Sequence, residues 1–168
     1  MRPEANEAAP YYSRYIDLVS SDNIIGVMEA QLREIPEFLS GISEEKSRHR
    51  YAPGKWSIRQ LLNHVNDTER IFLFRALWFG RGFENPLPGY DQDVCAEASG
   101  ADDVSWVNHA EEFRSVRLAT LALFQNLPEE AWLHKGSANG SPISVRALAY
   151  IIAGHVQHHT TVLKERYL

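Results

Sequence analysis

The chain has 168 residues, of which 44% are hydrophobic and 23% charged. That length favours one domain with a core large enough to need no disulfide or metal staple, and the composition excludes a disordered or collagenous chain. With 17 Lys and Arg against 22 Asp and Glu the formal net charge is −5, and no basic cluster is present to grip a nucleic-acid backbone.

Residues 1–20 begin MRPEANEAAP, polar and small, and read as a loose N-terminal arm before a domain over residues 21–168. No basic-then-apolar leader opens the chain. The longest apolar run, around Leu148 to Ala153, is far below the roughly 20 residues that cross a bilayer. A single cysteine, Cys95, cannot close an internal disulfide, which fits a reducing compartment. The expectation is a soluble cytoplasmic protein with no nucleic-acid and no membrane partner.

A first helix is expected over residues 21–40. Ile24, Ile25, Met28, Leu32, Ile35 and Leu39 recur at three and four, Ser21 or Asp22 can cap the start, and Gly41 can end it. Pro36 inside it predicts a kink or a local 3₁₀ turn. A second helix starts at Ser57, which forms an S-x-x-Q capping box with Gln60. Its stripe is Ile58, Leu61, Leu62, Val65, Phe72, Leu73 and Ala76, and it ends near Gly80 or Gly82. Residues 83–104 have no sustained period beyond a short helical turn near Val94, and a connection this long is functional or a crossover. A third helix begins at the cap Ser105 and ends near Leu127. Glu129 to Trp132 reads as a short turn, and Asn139-Gly140 is a hairpin turn signal. A fourth helix follows from Ser144, with Leu148, Ile151, Ile152, Val162 and Leu163 as its apolar face. No strand pattern is long enough for a sheet. These elements predict an all-α four-helix bundle with a long loop between helices two and three, which permits an up-down-down-up order.

Seven histidines are present. His155 and His159, four residues apart, turn through about 400° of helix and stand nearly above one another. Both lie in the apolar stripe of the fourth helix, whereas His158 projects toward the more polar edge of Gly154 and Thr161. His64 lies beside Leu61 and Val65 on the stripe of the second helix. Three imidazoles on two inward stripes can hold one divalent metal and leave a position open for water or substrate. Imidazole ligation points to Zn or Ni. His49, His109 and His134 have no such placement and read as surface or loop residues.

Asp67 and Glu69 follow His64 and can orient an imidazole or act as a base, although Glu69 beside Arg70 reads first as solvated or locally paired. Arg117 interrupts an apolar stripe, either reaching a buried carboxylate or snorkelling outward. Tyr90, Asp91 and Asp93 are candidates for a site mouth, and Arg59, Arg75 and Arg117 for its basic rim. Phe72, Phe74, Leu77, Trp78 and Phe79 cover more than one face of the second helix, a surplus that predicts a homodimer through an apolar face.

Three segments, YAPGKWSIRQLLNHVNDTER (51–70), PLPGYDQD (86–93) and VRALAYIIAGHVQHH (145–159), together resemble the DinB-like superfamily of bacterial four-helix proteins. That group includes the YfiT-like metal-dependent hydrolases. The resemblance runs from about Ser21 to Leu168. It implies an up-down-down-up bundle, commonly a homodimer, with a divalent metal held by three histidines, here His64, His155 and His159. A glutamate of the family's second helix is matched by Glu69, which makes Glu69 a candidate catalytic residue. The implied activity is hydrolysis of a small molecule with water at the open metal position. The alternatives are transfer or isomerisation using a low-molecular-weight thiol, and a metal-stabilised bundle without catalysis.

Overall fold

The computed structural model describes residues 2–168. Four long helices form its body: α2 (Ile24–Ser40), α3 (Ile58–Gly80), α5 (Trp106–Gln125) and α6 (Val145–Val162). Helices α5 and α6 each pack against both α2 and α3, so the four form a ring in the order α2, α5, α3, α6. A short helix, α1 (Ser13–Ile16), precedes them, and α4 (Gln92–Ala98) lies in the long connection between α3 and α5. No helix among the described residues is long and apolar enough to cross a membrane.

The helix ends follow local chemistry. Asn23, not Ser21 or Asp22, caps α2, its side chain accepting from the Gly26 amide. Helix α2 runs unbroken through Pro36, so the proline does not divide it. The capping box at α3 is complete: the Ser57 side chain accepts from the Gln60 amide and the Gln60 side chain from the Ser57 amide. Ser105 precedes α5, but its side chain makes no capping bond. Instead a carboxylate oxygen of Glu44 accepts from the Trp106 amide at 2.8 Å. Thus a residue distant in sequence supplies the negative charge at this N-terminus.

Two short strands also form. Strand β1 (Lys135–Ala138) pairs antiparallel with β2 (Ser141–Ser144) around Asn139-Gly140, with Ala138 opposite Ser141. Both turn residues have positive φ, 53° and 72°, as a type I′ turn requires. The hairpin departs from the purely helical expectation. Four-residue strands carry too few alternating positions to register as a periodic pattern.

The N-terminal segment is not loose. Tyr15 and Val19 are buried in the main core, and α1 packs along α6. Glu7, only 3% exposed, accepts hydrogen bonds from Ser144 and Arg146, while the Ser144 amide donates to the Glu7 carbonyl at 2.9 Å. The small polar residues around Glu7 concealed this anchor. Because α1 and the hairpin cover the side of α6 turned away from the bundle, every residue from Val145 to Val156 is buried. The single apolar face expected of this helix is therefore too narrow a description.

Candidate metal centre

His64 sits in the seventh position of α3, a register set by the Ser57 cap, and His155 and His159 lie one turn apart in α6. Because α3 and α6 pack together, the three rings converge. His64 Nε2 lies 3.1 Å from His155 Nε2, and His159 Nε2 lies 3.0 Å from the same atom. His64 and His155 are 5% and 4% exposed, and His159 is half-buried. Each of the three can direct one nitrogen within 4.8 Å of the other two. His158 is outside this trio, its ring set edgewise against Tyr15 at 5.6 Å.

Burial pushes His64 down to about 4 and His159 down to about 3, and drives His155 well below its ordinary value, with neighbouring histidines adding to each shift. All three are neutral near pH 7, the form that binds metal. A neutral imidazole nitrogen carries either one proton or one lone pair, so His155 Nε2 cannot satisfy two like neighbours fully. A cation accepting three lone pairs does. Tetrahedral ligands at about 2.0–2.1 Å from zinc stand roughly 3.3 Å apart, only a few tenths of an ångström wider than the spacings found here. The donor set therefore fits a divalent ion of the zinc or nickel type.

Outer contacts orient the rings. Thr68 Oγ1 lies 3.4 Å from His64 Nδ1 and is hydrogen-bonded to the Tyr90 hydroxyl. Tyr15 sets its ring edgewise to His155 at 5.2 Å, and Trp56 lies 4.9 Å from His64. His159 Nδ1 is buried with no hydrogen-bond partner among the described residues. A cavity of about 360 Å³ opens onto the cluster and is lined by His64, His155, Thr68, Arg75, Tyr90 and Tyr15 among others. No carboxylate lines it.

Several candidates lie elsewhere. Glu69 is 3% exposed, and both its oxygens accept from Arg117, at 2.9 and 2.8 Å. Neither a solvated group nor a lining residue of the cavity, it is a structural anion, and Arg117 takes the buried rather than the snorkelling arrangement. Asp67 binds Asn63 and Arg70. Arg59 is fully buried against Ser47, Glu44 and the carbonyls of Asp102 and Val104. Asp91 caps α4. His109, expected at the surface, is 1% exposed, its Nε2 2.9 Å from the Ala101 carbonyl. Thr68, Tyr15 and Trp56 were not legible as site residues. Thr68 alone left a signal, since it follows His64 by one helical turn.

Comparison with known proteins shows relatives of the same fold. An inferred metal-dependent hydrolase from Oceanobacillus iheyensis is 25% identical over 141 residues, spanning 82% of this chain and 79% of the relative. Among solved structures, YfiT from Bacillus subtilis is described as a probable metal-dependent hydrolase with an unusual four-helix bundle topology. It superposes with a TM-score of 0.71 at 15% identity, covering 98% of this chain and 90% of that one. A mycothiol-dependent maleylpyruvate isomerase gives a TM-score of 0.71 at 14% identity, over 87% of this chain but 61% of the isomerase. The DinB superfamily profile matches residues 28–163, a span that contains all three clustered histidines, and the chain belongs to that superfamily.

Proposed function

We propose that the protein is a metal-dependent hydrolase of a small molecule, with His64, His155 and His159 holding one divalent cation, Zn or Ni. The observation that carries this reading is the convergence of three neutral imidazoles, two of which, His64 and His155, line a cavity of about 360 Å³. A cation held there supplies Lewis acidity and lowers the pKa of a water or thiol bound to it. The chain's own residues do the rest. Burial keeps the imidazoles deprotonated at one nitrogen, Thr68 and Tyr90 fix the ring of His64, and Tyr15 shields His155 from solvent.

A second reading, transfer or isomerisation with a low-molecular-weight thiol, is favoured by one observation. The cavity has no Asp or Glu to take a proton from water, and Glu69 is committed to Arg117. A thiol, more acidic than water, needs no such base once a cation stabilises its thiolate. The structural likeness to a mycothiol-dependent isomerase supports the same alternative. Other parts of the proposal are an up-down-down-up helix order, a cytoplasmic setting in keeping with the single Cys95, and a homodimer through the exposed Phe74 and Leu77 of α3.

Elemental analysis of untagged protein, native and reloaded with Zn or Ni, is expected to give about one ion per chain, and His64→Ala close to none. Loaded protein is then offered ester and amide panels, and separately thiols with an electrophile. Turnover in the first set supports hydrolysis, and turnover only in the second supports thiol chemistry. A wild type that retains no stoichiometric ion under any loading condition sinks both readings.

A further inference from the structure

Four arginines are buried: Arg59 at 0%, Arg75 at 3%, Arg117 at 0% and Arg146 at 7% exposure. Three of them have a carboxylate. Arg59 pairs with Glu44, Arg117 with Glu69 and Arg146 with Glu7. Arg75 is the exception: no ion pair joins it to any carboxylate among the described residues. Its Nη2 donates to the Pro88 carbonyl at 3.0 Å, and its guanidinium stands 5.4 Å from the centre of the Phe72 ring. Neither contact carries a countercharge. A buried guanidinium has five N–H donors and a full charge, and leaving it without an anion is costly.

Arg75 also lines the cavity that holds His64 and His155. It follows His64 by 75 − 64 = 11 residues, close to three full turns, so the two share one face of α3. Thr68 and Phe72 lie between them on that face and line the same cavity. Cavity residues from outside α3 add neutral donors to its lining, among them Gln92, Asn139 and Ser141.

We propose that Arg75 anchors a carboxylate of the substrate, at the end of the cavity remote from the histidine cluster. The proposal deepens the metal-dependent reading and rests on it for the position of the reacting group. A single guanidinium matches a single negative charge, and its planar fork fits a carboxylate in two parallel hydrogen bonds. Eleven residues of helix place the two Cα atoms roughly 16 Å apart, and the Arg75 side chain turns back toward Phe72, so the carboxylate sits on the order of 10 Å from the reacting group. The substrate class is thus an elongated monocarboxylate, carrying its reactive bond or thiol at the opposite end from its charge.

The test uses thiol probes of defined length, measured by calorimetry on zinc-loaded and on metal-free protein. In zinc-loaded wild type, 8-mercaptooctanoate is expected to bind at least about tenfold tighter than 8-mercapto-1-octanol, as one charge-assisted bidentate contact allows. The short 3-mercaptopropionate, unable to span both ends, is expected to show no advantage over 3-mercapto-1-propanol. Arg75→Met, which keeps the volume, should abolish the long acid's advantage, and Arg75→Lys should keep part of it. Equal binding of long acid and long alcohol by wild type overturns the proposal, as does an advantage that survives in Arg75→Met. If Arg75→Met does not fold, wild type and Arg75→Lys still decide the question. Metal-free protein separates the two readings. An acid advantage that persists while zinc adds nothing to thiol affinity leaves the anchor standing and removes the metal centre. A zinc effect without an acid advantage does the reverse.

Discussion

Each imidazole of the trio contributes one nitrogen, and the ring that carries it decides the effect of replacing it. His159 Nε2 is 3.0 Å from His155 Nε2, whereas His158 turns its ring toward Tyr15. His159→Ala should therefore lower zinc affinity by at least about 100-fold, and His158→Ala by less than about tenfold, a loss typical of groups outside the ligand set. Competitive chelator titrations distinguish the two, and equal losses would place His158 among the ligands. Acid dependence follows from the same burial. The folded values of His64 and His159, about 4 and about 3, lie below the ordinary 6.5. The stability these neutral rings contribute is complete above 6.5 and is lost as pH falls from there toward 4 and then 3, because the unfolded chain takes up protons first. Calorimetric melting of metal-free protein should show Tm declining over that window, and His64→Leu should flatten the decline. A bound metal should steepen it, since protons then compete with the ion. The three histidines were legible because helical spacing and an apolar stripe both mark them. Glu69 and His109 were misread because a one-dimensional pattern does not show what lies opposite a side chain. Glu69 meets Arg117, and His109 meets the Ala101 carbonyl.

Strong local signals settled the elements. The Ser57 capping box and the Asn139-Gly140 turn both act within four residues, and both stand as read. Elements that depend on distant partners were less visible. The segment before residue 20 is ordinary in composition, yet it covers α6 and supplies Tyr11, Tyr12 and Tyr15 to the cavity wall. Its close approach depends on Gly154. A Cβ there would lie 2.0 Å from the Tyr15 carbonyl oxygen, and that neighbour is backbone and cannot swing away. Gly154→Ala is thus expected to push α1 off α6 and to cost about 1–3 kcal/mol, the usual penalty of overpacking. Thermal unfolding measures the loss, and limited proteolysis should cut faster between residues 2 and 20. Unchanged proteolysis with a lowered Tm would mean that the helix shifts and the segment stays docked.

Across the whole molecule, one polar network joins all four long helices. Gln31 of α2 donates to the Ala153 carbonyl of α6 at 2.9 Å and accepts from Arg117 of α5 at 2.6 Å, and Arg117 holds Glu69 of α3 at both oxygens. The helical character and the four long helices were legible from periodicity, but the short α1 and α4 and the hairpin were not, nothing in a stripe pattern specifies which helices meet, and this network is specific to the ring order α2, α5, α3, α6. It also lies close to the site in sequence: Ala153 precedes His155 by two residues, and Glu69 follows Thr68 directly. Glu69 is thereby a stabilising residue in the structure, where the resemblance had made it a catalytic candidate, and the two roles predict different experiments. Removing one partner of a buried pair strands the other charge, so Glu69→Ala should destabilise the protein by about 3–5 kcal/mol. The double variant Glu69→Ala/Arg117→Met should lose less than the sum of its parts, because it leaves no stranded charge. Urea unfolding of the two single variants and the double variant measures this coupling. Zinc bound by the folded fraction of each should remain near the wild-type amount, since neither residue belongs to the proposed ligand trio. A Glu69→Ala protein with wild-type stability and no turnover would restore Glu69 to the chemistry and leave the four-helix network without its proposed role.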